Sequence, residues 1–367
     1  INVPLLPSDN EVNYEWTLSA CSGGFTPTFQ ATIPDVLPDE AQYTRALSLS
    51  RLAYDLENLL SPMMAAAALL LLSYDALFVG NAVAFVISAA LVLSVRLPSP
   101  QPHERERGIW HNTTYGIRVY VKTPRLRGLL ALSMAVAAAG AMVIVNTVVY
   151  VRDYLGGSES DTAIAFAAAG GGSVVVALIL PRILARYTDR PFMLMGGLLL
   201  AVGLLLGLTE PTLYALFPIW FVLGVGSSLI QTPAGRLLKR SSRESDRPAI
   251  FAAQFALSHA CWLLAYPLAG WLGSLFGIMV AFTILALIAL ASTAVAVFMW
   301  PAEDSNELEH VHDPVHHQHL HIHDEHHQHD HKGWEGPEPH RHPHPHSRLK
   351  HKHPFVIDLH HQVWPQH

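Results

Sequence analysis

Eleven histidines near the end of the chain recur at every second position. They are His317, His319, His321 and His323, then His327, His329 and His331, then His340, His342, His344 and His346. In an extended chain, residues two apart lie on the same side, so each run forms a row of imidazoles. Neutral imidazole is the commonest side-chain ligand for Ni2+, Cu2+ and Zn2+, with Co2+ in the same series. Asp313, Asp324, Glu325 and Asp330 lie among them as oxygen donors. Twenty of the 23 histidines fall between His310 and His367. This composition points to transition-metal binding without naming the metal. The plainer reading is a polar low-complexity tail that binds metal incidentally.

A second set of chemically able groups sits inside apolar stretches, where charge and unpaired polarity are costly and functional by default. Arg51 and Asp55 are four apart and can pair on one helix face. Glu57 has no such obvious partner. Asn146, Gln231, Gln254, Ser258 and His259 are the other polar candidates. His259 is the only histidine within the apolar stretches, and it is either a metal or proton site or a hydrogen-bonded packing residue. Cys261 follows two positions on, about 200° round a helix, so the two cannot chelate together.

The elements that must position these groups are membrane helices. The 367 residues are 51% hydrophobic and only 14% charged, with a mean hydropathy of +0.28, against about 25% charged in a soluble domain. Apolar runs occupy 59–72 (extended backward by 46–58), 77–95, 128–151, 163–180, 192–208, 213–230, 250–272 and 275–300. Each approaches the 17–25 residues needed to cross a bilayer, which predicts an all-α membrane protein of about eight spans. Arg96, Arg105, Arg107, Arg118, Lys122, Arg125, Arg127, Arg182, Arg186, Arg190, Arg236, Lys239, Arg240, Arg243 and Arg247 all fall in alternate loops. The intervening loops hold only Arg152. The positive-inside rule places the basic loops, and with them the tail, in the cytoplasm.

Two cysteines, Cys21 and Cys261, argue against a disulfide framework or a thiolate metal site. No phosphate-binding glycine loop ending in Gly-Lys-Ser/Thr is present, which argues against an ATPase. No nucleophile–base pair suggests an enzyme, the net charge of −6 gives no reason to invoke nucleic acid, and no cofactor is required. The tail has too little Leu, Ile, Val and Phe to bury a core, so it is expected to be disordered without metal.

Several segments resemble major facilitator superfamily exporters. They include Phe25-Thr-Pro-Thr-Phe-Gln-Ala-Thr-Ile-Pro-Asp, Thr44-Arg-Ala-Leu-Ser-Leu-Ser-Arg-Leu-Ala-Tyr-Asp-Leu-Glu-Asn, Thr123-Pro-Arg-Leu-Arg-Gly and Asn146-Thr-Val-Val. Gly170-Gly-Gly-Ser, Gln231-Thr-Pro-Ala-Gly-Arg-Leu-Leu, Phe251-Ala-Ala-Gln-Phe-Ala-Leu-Ser-His-Ala-Cys-Trp and Phe355-Val-Ile-Asp extend the likeness. It is strongest to the nickel-resistance branch, whose members end in histidine-rich tails. Ser61-Pro-Met-Met-Ala-Ala stands where exporters of the superfamily carry Gly-Pro-x-x-Gly-Gly. The resemblance implies a superfamily-like helical bundle in which these eight helices correspond to numbers five to twelve of twelve. Helices one to three, and most of four, have no counterpart in this sequence. The implied layout is an irregular segment at 1–24, a remnant of the first half at 25–97 and a cytoplasmic linker at 98–127. A six-helix second half at 128–300 and a metal-binding tail at 301–367 follow. Asn146, Gln231, Gln254, Ser258 and His259 would then lie on cavity-lining helices, with Asp55 and Glu57 as further cavity candidates. Arg186, Asp189 and Arg190 would form a gating loop whose ion pairs hold the closed state. Gly170-Gly-Gly and the Gly203–Gly207 pair read as ordinary helix contacts.

The function this implies is proton-coupled export of nickel, with cobalt an alternative, by a monomer in the bacterial inner membrane. Its partners would be the bilayer, divalent metal ions and protons. Two alternatives remain: a drug or small-molecule exporter with a metal-responsive tail, and a membrane-anchored metal buffer that does not transport.

Overall fold

Long apolar stretches broken by Gly, Pro and charged turns become long helices, since a helix satisfies its own backbone where no water can. The computed structural model describes residues 26–69, 73–94, 114–304, 307–312, 316–321, 340–345, 349–357 and 364. Residues 26–36 form α1. They are followed by α2 (Glu40–Leu69), α3 (Tyr74–Ser94), the short α4 (Tyr115–Lys122) and α5 (Pro124–Val148), which ends in a π-helical turn, Val149–Tyr154. Then come α6 (Glu159–Leu184), α7 (Asp189–Gly207), α8 (Leu213–Arg240), α9 (Arg247–Phe276) and α10 (Ile278–Met299).

The helix starts follow local chemistry. Pro124 opens α5 at a position where its missing N–H costs nothing. Ser158 caps α6 through the Asp161 amide, and the Asp161 carboxylate accepts back from the Ser158 amide at 2.8 Å. Gly277, at φ +88°, separates α9 from α10 in a conformation that favours glycine.

Among the described residues six stretches are long and apolar enough to cross a membrane: Pro124–Tyr154, Glu159–Leu184, Asp189–Gly207, Leu213–Arg240, Glu244–Phe276 and Ile278–Met299. The shortest, of 19 residues, is about 28 Å of helix. These six coincide with the last six predicted spans, with ends shifted by up to ten residues. The other two expected spans fall on α2 and α3, where residues 70–72 and several side chains lie outside the described set. A shorter apolar helical stretch, Val79–Leu91, lies within α3. Phe85, Val86 and Leu93 are all more than two-thirds exposed, a surface that requires lipid or another helix against it.

α5 forms the centre of the bundle, against α8, α9 and α10. Its Ala135, Ala137, Ala138, Ala139 and Ala141 are buried, and small side chains let neighbouring backbones approach, which drives helix association where lipid is as apolar as leucine. α6 and α8 make the closest crossing. A Cβ on Gly224 would collide with the Ala169 carbonyl, and one on Gly172 with the Phe221 carbonyl. Gly203 meets Leu223 of α8 and Gly207 meets the Phe282 ring of α10, as the helix-contact reading expects. α2 lies across α6 and α8.

Within the described part of the tail, β1 (Glu307–His312) pairs antiparallel with β4 (Leu349–Pro354), and β2 (His316–His321) with β3 (His340–Pro345). Such two-strand pairing needs only backbone partners and alternating residues. The segments 1–24 and 98–113, together with His323, His327, His329, His331 and His346, lie outside the described residues. Of the expected linker at 98–127, the described part is helical from Tyr115.

Candidate functional site

Two polar networks tie the helices together, one within the apolar part of the bundle and one at its basic end. The first is built on α2. Arg51 Nη2 pairs with Asp55 Oδ1 at 2.9 Å one turn on, as the spacing of four suggests. The same guanidinium reaches outward: Nε donates to Ser173 Oγ on α6 at 3.1 Å, and Nη1 to Gln231 Oε1 on α8 at 3.0 Å. Ser173 donates in turn to Asp55 Oδ2 at 2.5 Å, and Gln231 Nε2 donates to Ser227 at 2.7 Å. Three helices thus share one charge pair. Asp55 and Ser173 are buried, and Gln231 is exposed at the edge of the network.

Of the predicted cavity residues, only Asp55 and Gln231 are brought together. Glu57 is exposed on α2. Asn146, 3% exposed, donates to the Ala269 carbonyl at 3.2 Å and so ties α5 to α9. Gln254 accepts from the Tyr120 hydroxyl of α4. Burial raises the pKa of that hydroxyl well above the ordinary tyrosine value, which keeps it a neutral donor. Ser258 donates to the Phe255 carbonyl of its own helix at 3.0 Å. His259 is exposed; its Nδ1 lies 2.8 Å from the same carbonyl and its ring is 3.9 Å from that of Phe255. Cys261, two residues on, is buried, as the helical rotation between them requires. Among the described residues no group of three or more His, Cys, Asp or Glu could hold a metal ion.

At the basic end, the expected gating loop is taken apart and shared. Arg186 is exposed. Asp189, buried at the start of α7, faces Arg236 of α8 instead; the two stand at 3.4 Å as an ion pair without hydrogen-bond alignment. Arg190 donates to the Trp300 carbonyl at 3.1 Å and the Val297 carbonyl at 3.3 Å, capping the end of α10. Arg236 also holds Glu40 of α2 at 2.7 Å, donates to Thr44 at 3.2 Å and donates to the Leu184 carbonyl at 3.2 Å. One guanidinium therefore joins α2, α6, α7 and α8. A turn later Arg240 pairs with Asp304, which also takes Arg125 at 3.3 Å and the Trp300 indole N–H at 2.8 Å. Lys239 donates to the Pro38 carbonyl at 3.0 Å and Arg247 pairs with Asp35.

These contacts put the described basic loops and the start of the tail at one end of the bundle, in agreement with their alternation along the sequence. Sequence reasoning missed Ser173, Arg236 and Asp304 as network members. Arg236 was legible only as one more basic loop residue, and Ser173 only as the end of Gly170-Gly-Gly-Ser. Replacing Arg236 by Gln removes the cation facing buried Asp189. The expected cost is about 1.5–3 kcal/mol, read as a lower unfolding midpoint of the purified chain. Glu40→Gln should cost much less, because the Glu40 side chain is 70% exposed. Equal losses would mean that Arg236 acts only as surface charge.

No curated protein matches the chain. Residues 129–321 match the sequence profile of the Major Facilitator Superfamily, and that stretch runs from α5 through α10 into the first two tail strands. The match covers more than half of the sequence and all of the last five apolar helices, and the geometry beneath those helices is a multi-pass membrane bundle. The chain belongs to the Major Facilitator Superfamily of secondary transporters.

Proposed function

We propose that the chain exports a divalent transition-metal cation, nickel first and cobalt second, from the bacterial cytoplasm in exchange for protons. The observation that carries the metal part is the register of the tail strands. It sets His317 opposite His344, His319 opposite His342, His321 opposite His340 and His310 opposite His351. In an antiparallel pair such residues are about 4.5–5.5 Å apart at Cβ, and alternate positions share a face. This alignment of histidine against histidine supports the reading of the tail as a metal-binding element. Held at the basic end of the bundle, which the positive-inside rule makes cytoplasmic, the tail raises the metal concentration beside the transport path.

The Arg51–Asp55–Ser173–Gln231 network supplies the group for coupling to protons. A proton on Asp55 removes the charge that holds Arg51 and loosens α2 from α6 and α8. Loss of the proton restores the tie. Asp55 therefore carries the proton, Arg51 senses its charge, and Ser173 and Gln231 transmit the change to the other helices.

The test is Ni2+ content in loaded cells that express the chain. Faster loss than in vector controls, abolished by a protonophore, is the expected result. An unchanged metal content would overturn the transport reading. The isolated tail is expected to bind several Ni2+ ions at neutral pH by calorimetry and to release them as the pH falls below about 6, where imidazoles protonate and cease to be ligands.

A further inference from the structure

A groove of about 430 Å3 runs between α5, α9 and α10, and its walls are apolar except for the Cys261 thiol and the Ser292 hydroxyl. The walls repeat at helical spacing: Leu130, Ala131 and Met134 on α5, and Leu257, Cys261 and Leu264 on α9. Ala291 and Val295 of α10 close the third side. Residues three, four and seven apart share one helix face, so the groove runs lengthwise along the helices, as an acyl chain lies in a bilayer. Leu264 and Val295 are 63% and 43% exposed, which opens the groove to the surroundings of the bundle. The α5 wall lies in the first half of that helix and the α10 wall in the second half of its own. Both are next to the basic end.

Arg127 stands three residues before Leu130, four before Ala131 and seven before Met134. It therefore lies on the groove's own face of α5, one turn nearer the basic end. The residue is half-buried, and its Nε is buried without a hydrogen-bond partner. Arg125, Arg236, Arg240 and Arg247 share that orphan Nε, but each pairs with a carboxylate through the rest of its guanidinium. Among the described residues no carboxylate does this for Arg127. A half-buried cation at the edge of a bilayer is costly without a counter-ion, and a guanidinium fits a phosphate with two parallel N–H donors. The positive-inside rule turns the basic end to the cytoplasmic leaflet, the one that carries anionic headgroups.

We infer that the α5–α9–α10 groove is a binding site for an anionic phospholipid, with an acyl chain along the groove and the headgroup phosphate on Arg127. The chain supplies the apolar contacts that the three helix faces leave open, and the phosphate answers the charge that no carboxylate answers. Neither part depends on which substrate the protein carries. A lipid seated there packs against the central helix α5 and against α9 and α10 at once, and so holds the three together where their own side chains leave a gap.

The experiment offers the full chain, purified in detergent, an equimolar mixture of phosphatidylglycerol and phosphatidylcholine with the same acyl chains. Native mass spectrometry reads which lipid is retained. Phosphatidylglycerol is expected to be retained in preference, and Arg127→Gln should lower that preference about fivefold, the effect of one basic residue at an anionic surface. Lys122→Gln, exposed at the same end on α4, should leave it unchanged. Ala291→Phe puts a ring into the groove from an exposed position and should abolish retention of both lipids, which keeps the site testable if Arg127→Gln does not fold. Equal retention of the two lipids by the intact chain, or equal effects of Arg127→Gln and Lys122→Gln, would mean bulk contact with the bilayer and overturn the site. Displacement of phosphatidylglycerol by inorganic phosphate would reduce it to an anion site at Arg127 and overturn the groove. A dimer in size-exclusion chromatography that Ala291→Phe dissolves, with no lipid retained, would give the groove to a second copy of the chain and overturn the lipid assignment.

Discussion

Replacing Asp55 by Ala is expected to destabilise the chain by about 3–5 kcal/mol, the usual loss when one partner of a buried ion pair is removed. Arg51 would keep its positive charge, at 15% exposure, with the neutral oxygens of Ser173 and Gln231 and the Tyr54 ring at 5.2 Å to answer it. Arg51→Ala together with Asp55→Ala should recover a large part of that loss, because the double variant leaves no orphan charge. Midpoints of chemical unfolding for the two single variants and the double variant form a double-mutant cycle that reads the coupling. Additive losses would mean that the pair contributes nothing beyond its separate contacts. Asp55→Asn supplies a functional arm: the amide cannot release a proton near neutral pH, so proton-driven metal loss should cease even where the protein folds. Continued export by Asp55→Asn would remove Asp55 from the coupling site.

The second large effect is expected at the α6–α8 crossing. Gly224→Leu places a side chain against the Ala169 backbone, which cannot move aside as a flexible side chain can. Over-packing of a close core contact costs about 1–3 kcal/mol and occasionally more. The upper end is expected here, with loss of the monodisperse peak in size-exclusion chromatography. Gly170→Ala is the control, since a Cβ at Gly170 meets nothing within 4 Å and alanine is the better helix former. A stable Gly224→Leu protein would show that the two helices are free to separate.

Those contrasts mark what kind of information the chain carries along its length. Gly170, Gly171 and Gly172 are identical in sequence, yet only Gly172 meets a neighbouring backbone. Which of three adjacent glycines is required depends on where Phe221 crosses, and that contact spans two helices. The same holds for Asn146, Gln254 and His259. Each was legible as a polar group in an apolar helix, but the partner that gives it a role is far away in sequence: Ala269 for Asn146 and Tyr120 for Gln254.

Helix existence was readable because a membrane imposes a one-dimensional rule. A backbone buried in lipid must pair with itself over about 20 apolar residues, and the breaks at Gly156–Ser158, Leu208–Thr212 and Gly277 punctuate the sequence visibly. The Arg51–Asp55 pair was readable for the same reason, since one helical turn sets its geometry. The alternation of basic loops likewise anticipated that Arg125, Arg240 and the start of the tail meet at one end.

By itself, then, the sequence determined the six apolar helices from Pro124 to Met299, their alternating charge and the histidine content of the tail, because these properties depend on neighbours within a few residues. Tertiary structure alone decided that Arg51 reaches Ser173 and Gln231, that Asp189 turns to Arg236 instead of Arg186, and that Arg125 holds both Asp304 and the Phe355 carbonyl. Each of those side chains had several oppositely charged or polar groups to choose from. The packing of small residues, which sets how closely the helices approach, determined which of them came within reach.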